Sequence, residues 1–336
     1  MKILRRLIEQ LELANRRHHL FKKKEHLLVA VSGGSDSMAL VALLMALRKK
    51  YSWRLSVVHL NHGFQRNGSR AQQTVQKFCA ANGLPFYSKS IHLRSSAKKQ
   101  RRSLEDAGRT ERYLYFSRLA KKIRAGKIVT AHTLDDQVET VLMRLFRGAA
   151  FRGLAGIPYT RACGEGQLIR PLLLCSKKDL TAFAKARRLP IVEDPSNQEE
   201  RFLRNSVRHH LLPLLRRRYN PRIDEQLANL QAVCRDTQET IDAIVGDAYQ
   251  KCLTRSPRAE IRLSLTALQK FSPAIRSEIF LLGLSKLKGD RVGFTHSHVR
   301  SMIDIALSSR PQAETHLPHG FRVYKKRGVL SVVRHE

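Results

Sequence analysis

Ser32-Gly33-Gly34-Ser35-Asp36-Ser37 lies between a short apolar run, Leu28 to Val31, and an apolar segment, Met38 to Leu47. Small polar residues between a buried strand and a buried helix form a turn that can bind an anion. Gly33 and Gly34 let the backbone approach closely and accept positive φ. The helix that follows offers free N–H groups and the positive end of its dipole. Asp36, in the first helical turn, could hold magnesium against bound phosphates. No Gly-Lys-Ser/Thr follows at the right spacing, so this is not a Walker A loop. A plain capped turn would account for one pair of glycines, but not for six such positions in this context.

His132-Thr133-Leu134-Asp135-Asp136-Gln137-Val138-Glu139 is the second cluster. Asp136 and Glu139 are three apart and Asp135 and Glu139 four apart, so one helix face carries these carboxylates. Acids at a helix start also cap it, which alone explains one of them. Three acids plus His132 exceed what capping requires. Their oxygens suit magnesium on a nucleotide or, by charge, an amine substrate.

Two arginine groups follow. Glu105, Arg109 and Arg112 share a helical stripe; a Glu105–Arg109 pair would leave Arg112 for phosphate. Phe202, Arg204, Asn205 and Arg208 form the other, with Arg204 and Arg208 on one face, suited to the phosphates of ATP or RNA. His59 and His62 flank Asn61 and read as polar loop residues, without a metal role.

The elements that must position these groups alternate. Strands are expected at Leu28–Val31, Arg54–Leu60, Pro85–Ile91 and Ile128–Ala131, with helices at Ser69–Ala81, Ser103–Arg124 and Asp135–Phe146 between and after them. This predicts an α/β fold, a doubly wound parallel sheet with ligands beyond the carboxyl ends of its strands. The loops after Val31, Leu60 and Ala131 fall at that edge. A glycine-rich passage after Gly148 reads as loop and short hairpin, and a helix follows over Asp179–Arg188. Glu193 to Asn197 reads as a turn, and residues 201 to 222 carry seven arginines and no acid. A boundary near Tyr219-Asn220-Pro221 divides the chain into a catalytic domain, 1–217, and a mainly helical domain, 218–336. The latter has helices over 223–252 and about 266–308. A small β end lies around Lys326-Arg327-Gly328.

Net charge is +34, from 62 Lys and Arg against 28 Asp and Glu, within a chain of 336 residues. That excess points to a polyanion, and nucleic acid fits best. The basic stretch Arg94–Arg124 reads either as a solvated helix or as an electrostatic path for RNA. Met38 to Leu47 is too short to span a bilayer. No signal-peptide core follows the basic start, so a cytoplasmic protein without membrane attachment is expected. Cys79, Cys163, Cys175, Cys234 and Cys252 form no C-x-x-C pair and read as buried small hydrophobes.

The loop resembles that of the PP-loop ATP pyrophosphatases, which cleave ATP between the α and β phosphates. The joint pattern is more specific. It comprises Ser-Gly-Gly-Ser-Asp-Ser, His59-x-Asn61-His62-Gly63, Glu105-x-x-x-Arg109-x-x-Arg112-Tyr113 and His132-x-x-Asp135-Asp136-Gln137-x-Glu139-Thr140. Arg147-Gly148, Arg170-Pro171-Leu172 and Asp194-Pro195-Ser196-Asn197 with Arg204-Asn205 complete it. Together these are similar to the tRNA(Ile)-lysidine synthetases, closely over about residues 25 to 215. Phe64-Gln65, Gly108 and Ala149-Ala150 depart from the family's commoner residues without touching the acids or the loop.

The resemblance implies a ligase that spends ATP, with magnesium, to join free L-lysine to C2 of the wobble cytidine in tRNA(Ile) with anticodon CAU. An adenylated cytidine would form, and pyrophosphate and AMP would leave. Ser32, Gly33, Gly34, Ser35, Asp36, Ser37 and His132 would bind the nucleotide, with Asp36 and Asp136 on magnesium. Asp36, Arg112, Asp136, Glu139 and Arg204 would be catalytic. The helical domain would bind tRNA, and a homodimer is left open. A tRNA thiolase would need paired cysteines. A non-enzymatic RNA-binding relic would have lost Asp36, Asp136 or Glu139, and all three are present.

Overall fold

The computed structural model describes residues 2–61, 68–90, 104–192, 203–255, 260–289 and 293–334, without the side chains of 104–107, 255 and 296. The expectations on His62 and Gly63, on the Glu105 side chain, on the turn at 193–197 and on Phe202 lie outside the described residues. Two compact units emerge, Met1–Arg235 and Asp236–Glu336. They divide inside a 30-residue helix, Ile223–Cys252, later than the boundary suggested at 217/218.

In chain order the first unit contains α1 (Lys2–His18), β1 (His26–Ala30), α2 (Ser35–Tyr51), β2 (Arg54–Asn61), α3 (Gly68–Ala81) and β3 (Phe86–Ser90). Then come α4 (Leu104–Lys122), β4 (Lys127–Val129), α5 (Leu134–Phe146), α6 (Phe151–Leu154), β5 (Thr160–Cys163), β6 (Gly166–Ile169) and α7 (Lys177–Ala186). The unit's last short helices are α8 (Leu203–Ser206), a π-helical turn (Val207–Leu211) and α9 (Leu212–Arg218).

Alternation along β1 explains why this strand is central. Leu27, Val29 and Val31 enter one core with residues of α1, α2, α3 and α7. Leu28 and Ala30 enter another with Tyr113, Phe116 and Leu119 of α4. A strand apolar on both faces must be covered on both. β1 accordingly pairs in parallel with β2 and β4. The sheet order is β3-β2-β1-β4-β6-β5, parallel except for the antiparallel edge strand β5. The expected hairpin after Gly148 is β5–β6, and its second strand joins the main sheet beside β4.

In the second unit, α10 (Ile223–Cys252) leads into β7 (Leu253–Arg255) and β8 (Glu260–Ser264). There follow α11 (Leu265–Gln269), α12 (Pro273–Lys288), α13 (His296–Leu307), β9 (Ala313–Leu317), β10 (Phe321–Lys326) and β11 (Val329–Arg334). The two strands expected around Arg327-Gly328 belong to a five-stranded antiparallel sheet, β7-β8-β11-β10-β9. Positive φ at both Arg327 and Gly328 suits a two-residue hairpin. Phe321 and Val323 of β10 pack with Tyr249 and Phe280 in the core of this unit. No helix among the described residues is long and apolar enough to cross a membrane.

Because Leu28 is fully buried between β1 and α4, Leu28→Ala should cost about 2–5 kcal/mol. A fall in the denaturant midpoint with an unchanged m-value checks this.

Candidate active site

The glycine-rich loop leaves β1 at Val31, whose N–H donates to the Val58 carbonyl at 2.9 Å. Gly33 has φ +96°, and a Cβ there would meet the Ala71 Cβ at 3.3 Å. Glycine is therefore required by backbone and by packing. The Ser37 hydroxyl gathers the turn: it accepts from the N–H groups of Ser32 and Gly33, both at 3.2 Å, and donates to the Gly34 carbonyl at 3.0 Å. From the far side of the loop, Val192 N–H donates to the Gly33 carbonyl at 3.0 Å. Gly34 caps α2 without a side chain, so the helix start faces outward with its own donors.

Asp36 sits in the first turn of α2 and accepts from Ser35 Oγ at 3.2 Å. Burial pushes its carboxyl up to about 6, against the pull of Lys177 and with the charges of Asp136 and Asp135 adding to the rise. Asp36 thus faces the acids of α5 across the carboxyl edge of the sheet.

The start of α5 separates three carboxylates that look alike in the sequence. Asp136 closes a capping box: its N–H donates to Thr133 Oγ1 at 3.3 Å, and its Oδ2 accepts from Thr133 N–H at 2.8 Å. Asp135 Oδ2 accepts from the Lys177 N–H at 2.7 Å, tying α5 to the first turn of α7. Capping therefore occupies two of the acids. Glu139 is only 1% exposed and serves neither cap.

Instead Glu139 is held by two guanidiniums. Arg208 Nε and Nη2 donate to its Oε1 and Oε2 at 2.6 and 3.0 Å, and Arg204 Nε donates to Oε2 at 2.7 Å. Arg204 Nη2 also reaches Asp136 Oδ1 at 2.9 Å. Burial opposes ionisation of Asp136, but the Arg204 guanidinium and the hydrogen bonds from Thr133 outweigh it and hold the carboxyl below its usual value. His132 contacts Thr130 Oγ1 through Nδ1 at 3.0 Å. Burial and the charges of Arg170, Arg109 and Arg204 lower its pKa despite Asp136, so the imidazole is neutral.

The π-helical turn that carries Arg208 has a local cause. Pro213 has no N–H to give the carbonyl four residues back, and a helix loosens before such a residue. Arg216, further along, pairs with Asp224 at 2.6 and 2.8 Å.

The structure thus brings Asp36, His132, Asp136, Glu139 and Arg204 to one edge with the loop Ser32–Ser37. Arg112 lies half-buried on α4, one helical turn after Arg109. Arg204 and Arg208, expected at phosphate, hold Glu139 and Asp136 in this structure. Lys177 beside Asp36 was not singled out in the sequence, and a lysine opening a helix carries no signal of its own. Among the described residues, no group of three or more His, Cys, Asp or Glu could hold a metal ion. Magnesium on a nucleotide commonly uses one or two carboxylates plus phosphate oxygens. Asp36 and Asp136, two hard donors close enough for the charge of Asp136 to raise the pKa of Asp36, fit that demand. The five cysteines are free and buried.

A glycine-rich turn open to anions at the carboxyl edge and faced by acids fits an ATP-using enzyme of the PP-loop class, and the PP-loop domain model matches residues 4–215. Among curated relatives, tRNA(Ile)-lysidine synthase from Geobacter sulfurreducens is 32% identical over 98% of this chain and 69% of its own length. The bifunctional protein TilS/HprT from Listeria monocytogenes is 32% identical over 90% of this chain, which spans 47% of that relative. Among solved structures, U34-tRNA thiolase NcsA from Methanococcus maripaludis aligns with TM-score 0.58 at 16% identity, covering 70% of this chain and 80% of that one, a likeness of fold. The chain belongs to the tRNA(Ile)-lysidine synthase family and is an ATP-dependent ligase of that type.

Removing the Glu139 charge leaves two guanidiniums around one amide. Both are partly exposed, so Glu139→Gln should cost about 2 kcal/mol, less than for a fully buried pair. Faster amide exchange over 203–218 would accompany the loss. Asp36 gives a pH test in magnesium-free buffer. Its folded pKa lies above its unfolded value, so its contribution is fully present below the unfolded value and lost as pH rises through about 6. Melting of Asp36→Asn should therefore gain on that of the unaltered chain between about pH 4 and 7.

Proposed function

We propose that this chain attaches lysine to the wobble cytidine of the isoleucine tRNA whose anticodon is CAU. The observation that carries the reading is one edge where Asp36 of the loop Ser32–Ser37 lies within reach of the charges of Asp135 and Asp136 on α5. In the first step the 2-oxo oxygen of the cytosine attacks the α-phosphorus of ATP. The bond to the bridging oxygen breaks and pyrophosphate departs. In the second step the ε-amine of lysine attacks C2, the C2–O bond breaks, and AMP leaves with that oxygen. The product, lysidine, would read AUA in place of AUG, and the tRNA would be charged with isoleucine in place of methionine.

The geometry supports the following roles. The N–H groups at the start of α2 bind the leaving phosphates, where Gly33 permits close approach. Asp36 and Asp136 would hold magnesium, which supplies charge neutralisation on the triphosphate when bound. Neutral His132 offers a hydrogen bond to the nucleotide without adding charge. Arg204 and Arg112 are assigned to negative charge developing on phosphate, Arg204 after release from its carboxylates.

Free lysine arrives as an ammonium of pKa about 10.4 and must lose a proton before attack. A carboxylate on the face formed by Asp136 and Glu139 is one candidate acceptor. Arginines occupy both Glu139 oxygens and depress Asp136. These carboxylates therefore suit recognition of the ammonium by charge better than removal of its proton. The buried, separate cysteines do not favour thiolation, despite the shared fold with the thiolase. The second unit is assigned to tRNA binding and the assembly to a monomer or dimer acting in the cytoplasm.

Release of pyrophosphate should require this tRNA, and labelled lysine should enter the tRNA only when ATP is present. Lysine incorporation that proceeds equally without ATP, or tRNA recovered without lysine, refutes the reading. Asp136→Asn should raise the KM for lysine at least tenfold; an unchanged KM removes Asp136 from ammonium recognition.

A further inference from the structure

A second concentration of charge lies on the α4 side of the sheet, outside the groups used above. Arg170 follows β6 directly and is 1% exposed. Its Nη1 donates to the Pro158 carbonyl at 2.6 Å, while its buried Nε has no partner. Burial lowers its pKa, and the Tyr113 side chain, to which it is hydrogen-bonded, partly offsets this. Over the same tyrosine ring stand two more guanidiniums, Arg161 of β5 at 4.4 Å and Arg109 of α4 at 5.2 Å from the centroid. No carboxylate of the described residues pairs with Arg109, Arg161 or Arg170.

Three like charges around one buried tyrosine repel one another, and a buried guanidinium without an acid is costly. A structural ion-pair network would include its acids, as Glu139 does for Arg204 and Arg208. Arg109 and Arg161 are exposed, held over the ring by its quadrupole with their donors still available. Guanidinium forks match phosphate oxygens. The position separates this cluster from the ATP phosphates. α2, whose start serves the loop, packs in the core on one face of the sheet, and Tyr113 packs in the core on the other. Arg109 and Arg170 nevertheless lie near enough to His132 to lower its pKa, so the cluster borders the site.

We infer that Arg109 and Arg161, gathered on Tyr113 above the buried charge of Arg170, form a seat for a backbone phosphate of the RNA strand whose base enters the active site. The inference rests on the tRNA reading given above. A base brought to the α-phosphate must have its strand continue away from the loop, and the chain's +34 charge provides the general attraction. This cluster supplies the fixed contact next to the reacting nucleotide.

The test uses the full chain, an unmodified transcript of the CAU-anticodon isoleucine tRNA, and ATP. Arg161→Ala and Arg109→Ala alter exposed side chains, and thermal melting verifies that both fold. Each should raise the Kd for the transcript about tenfold, measured without ATP. Each should also reduce the slope of log K against log salt by about 0.7–0.9, as for one lost phosphate contact. The KM for ATP should stay within about twofold. Unchanged Kd and salt slope would overturn the inference, as would a raised KM for ATP with an unchanged Kd for RNA. An unaltered chain that binds the transcript but attaches no lysine would defeat the functional reading and leave the binding comparison decisive for the cluster.

Discussion

The buried carboxylate of Glu139 is the contact on which the arrangement of the site depends. It lies one turn into α5, is almost wholly removed from water, and accepts three hydrogen bonds from Arg204 and Arg208. A carboxylate so placed would be prohibitive without partners. The partners come from a segment more than sixty residues later, so this pairing fixes the Leu203–Arg218 helical stretch beside the start of α5. Val138 and Leu142, on the same helix, pack with Val207 and Leu212 and add apolar contact to the charge pairing.

The loop depends on a different economy. Its turn is organised by one hydroxyl, that of Ser37, which occupies the inward donors and carbonyl. The donors at the start of α2 are left for a ligand because Gly34 brings no capping side chain. The start of α5, by contrast, is capped twice over by its own residues. Two helices therefore meet at one edge of the sheet with opposite character: one open to anions, the other lined with carboxylates. An ATP–magnesium complex beside an amine is the ligand set we propose for this edge.

The strand-and-helix alternation was legible because it rests on local patterns. Leu28 to Val31 could only be a buried strand, and Met38 to Leu47 only a covered helix. The second unit was harder. Its helices were read from the sequence, but of its strands only those around Arg327-Gly328 stood out, since β7, β8 and β9 are short and carry residues such as Thr254, Arg262, Glu314 and His316. Their partners are distant in sequence, and pairing more than local propensity makes them strands. The division at Arg235/Asp236 was also hidden, because a single helix runs through it.

The sequence by itself determined the parallel sheet, the glycine-rich loop at its edge and the identity of the acids near it. Those are consequences of short-range spacing and of residue chemistry. Tertiary structure alone decided what each charge does. It sent Asp135 to the cap of α7, Asp136 to its own cap and to Arg204, and Glu139 beneath two arginines. It also left Arg170 without an acid among the described residues and gathered Arg109 and Arg161 over the Tyr113 ring. Side-chain type states what a group can bind. Burial and the neighbours that folding brings from far along the chain state what it does bind, because both set the cost of its charge.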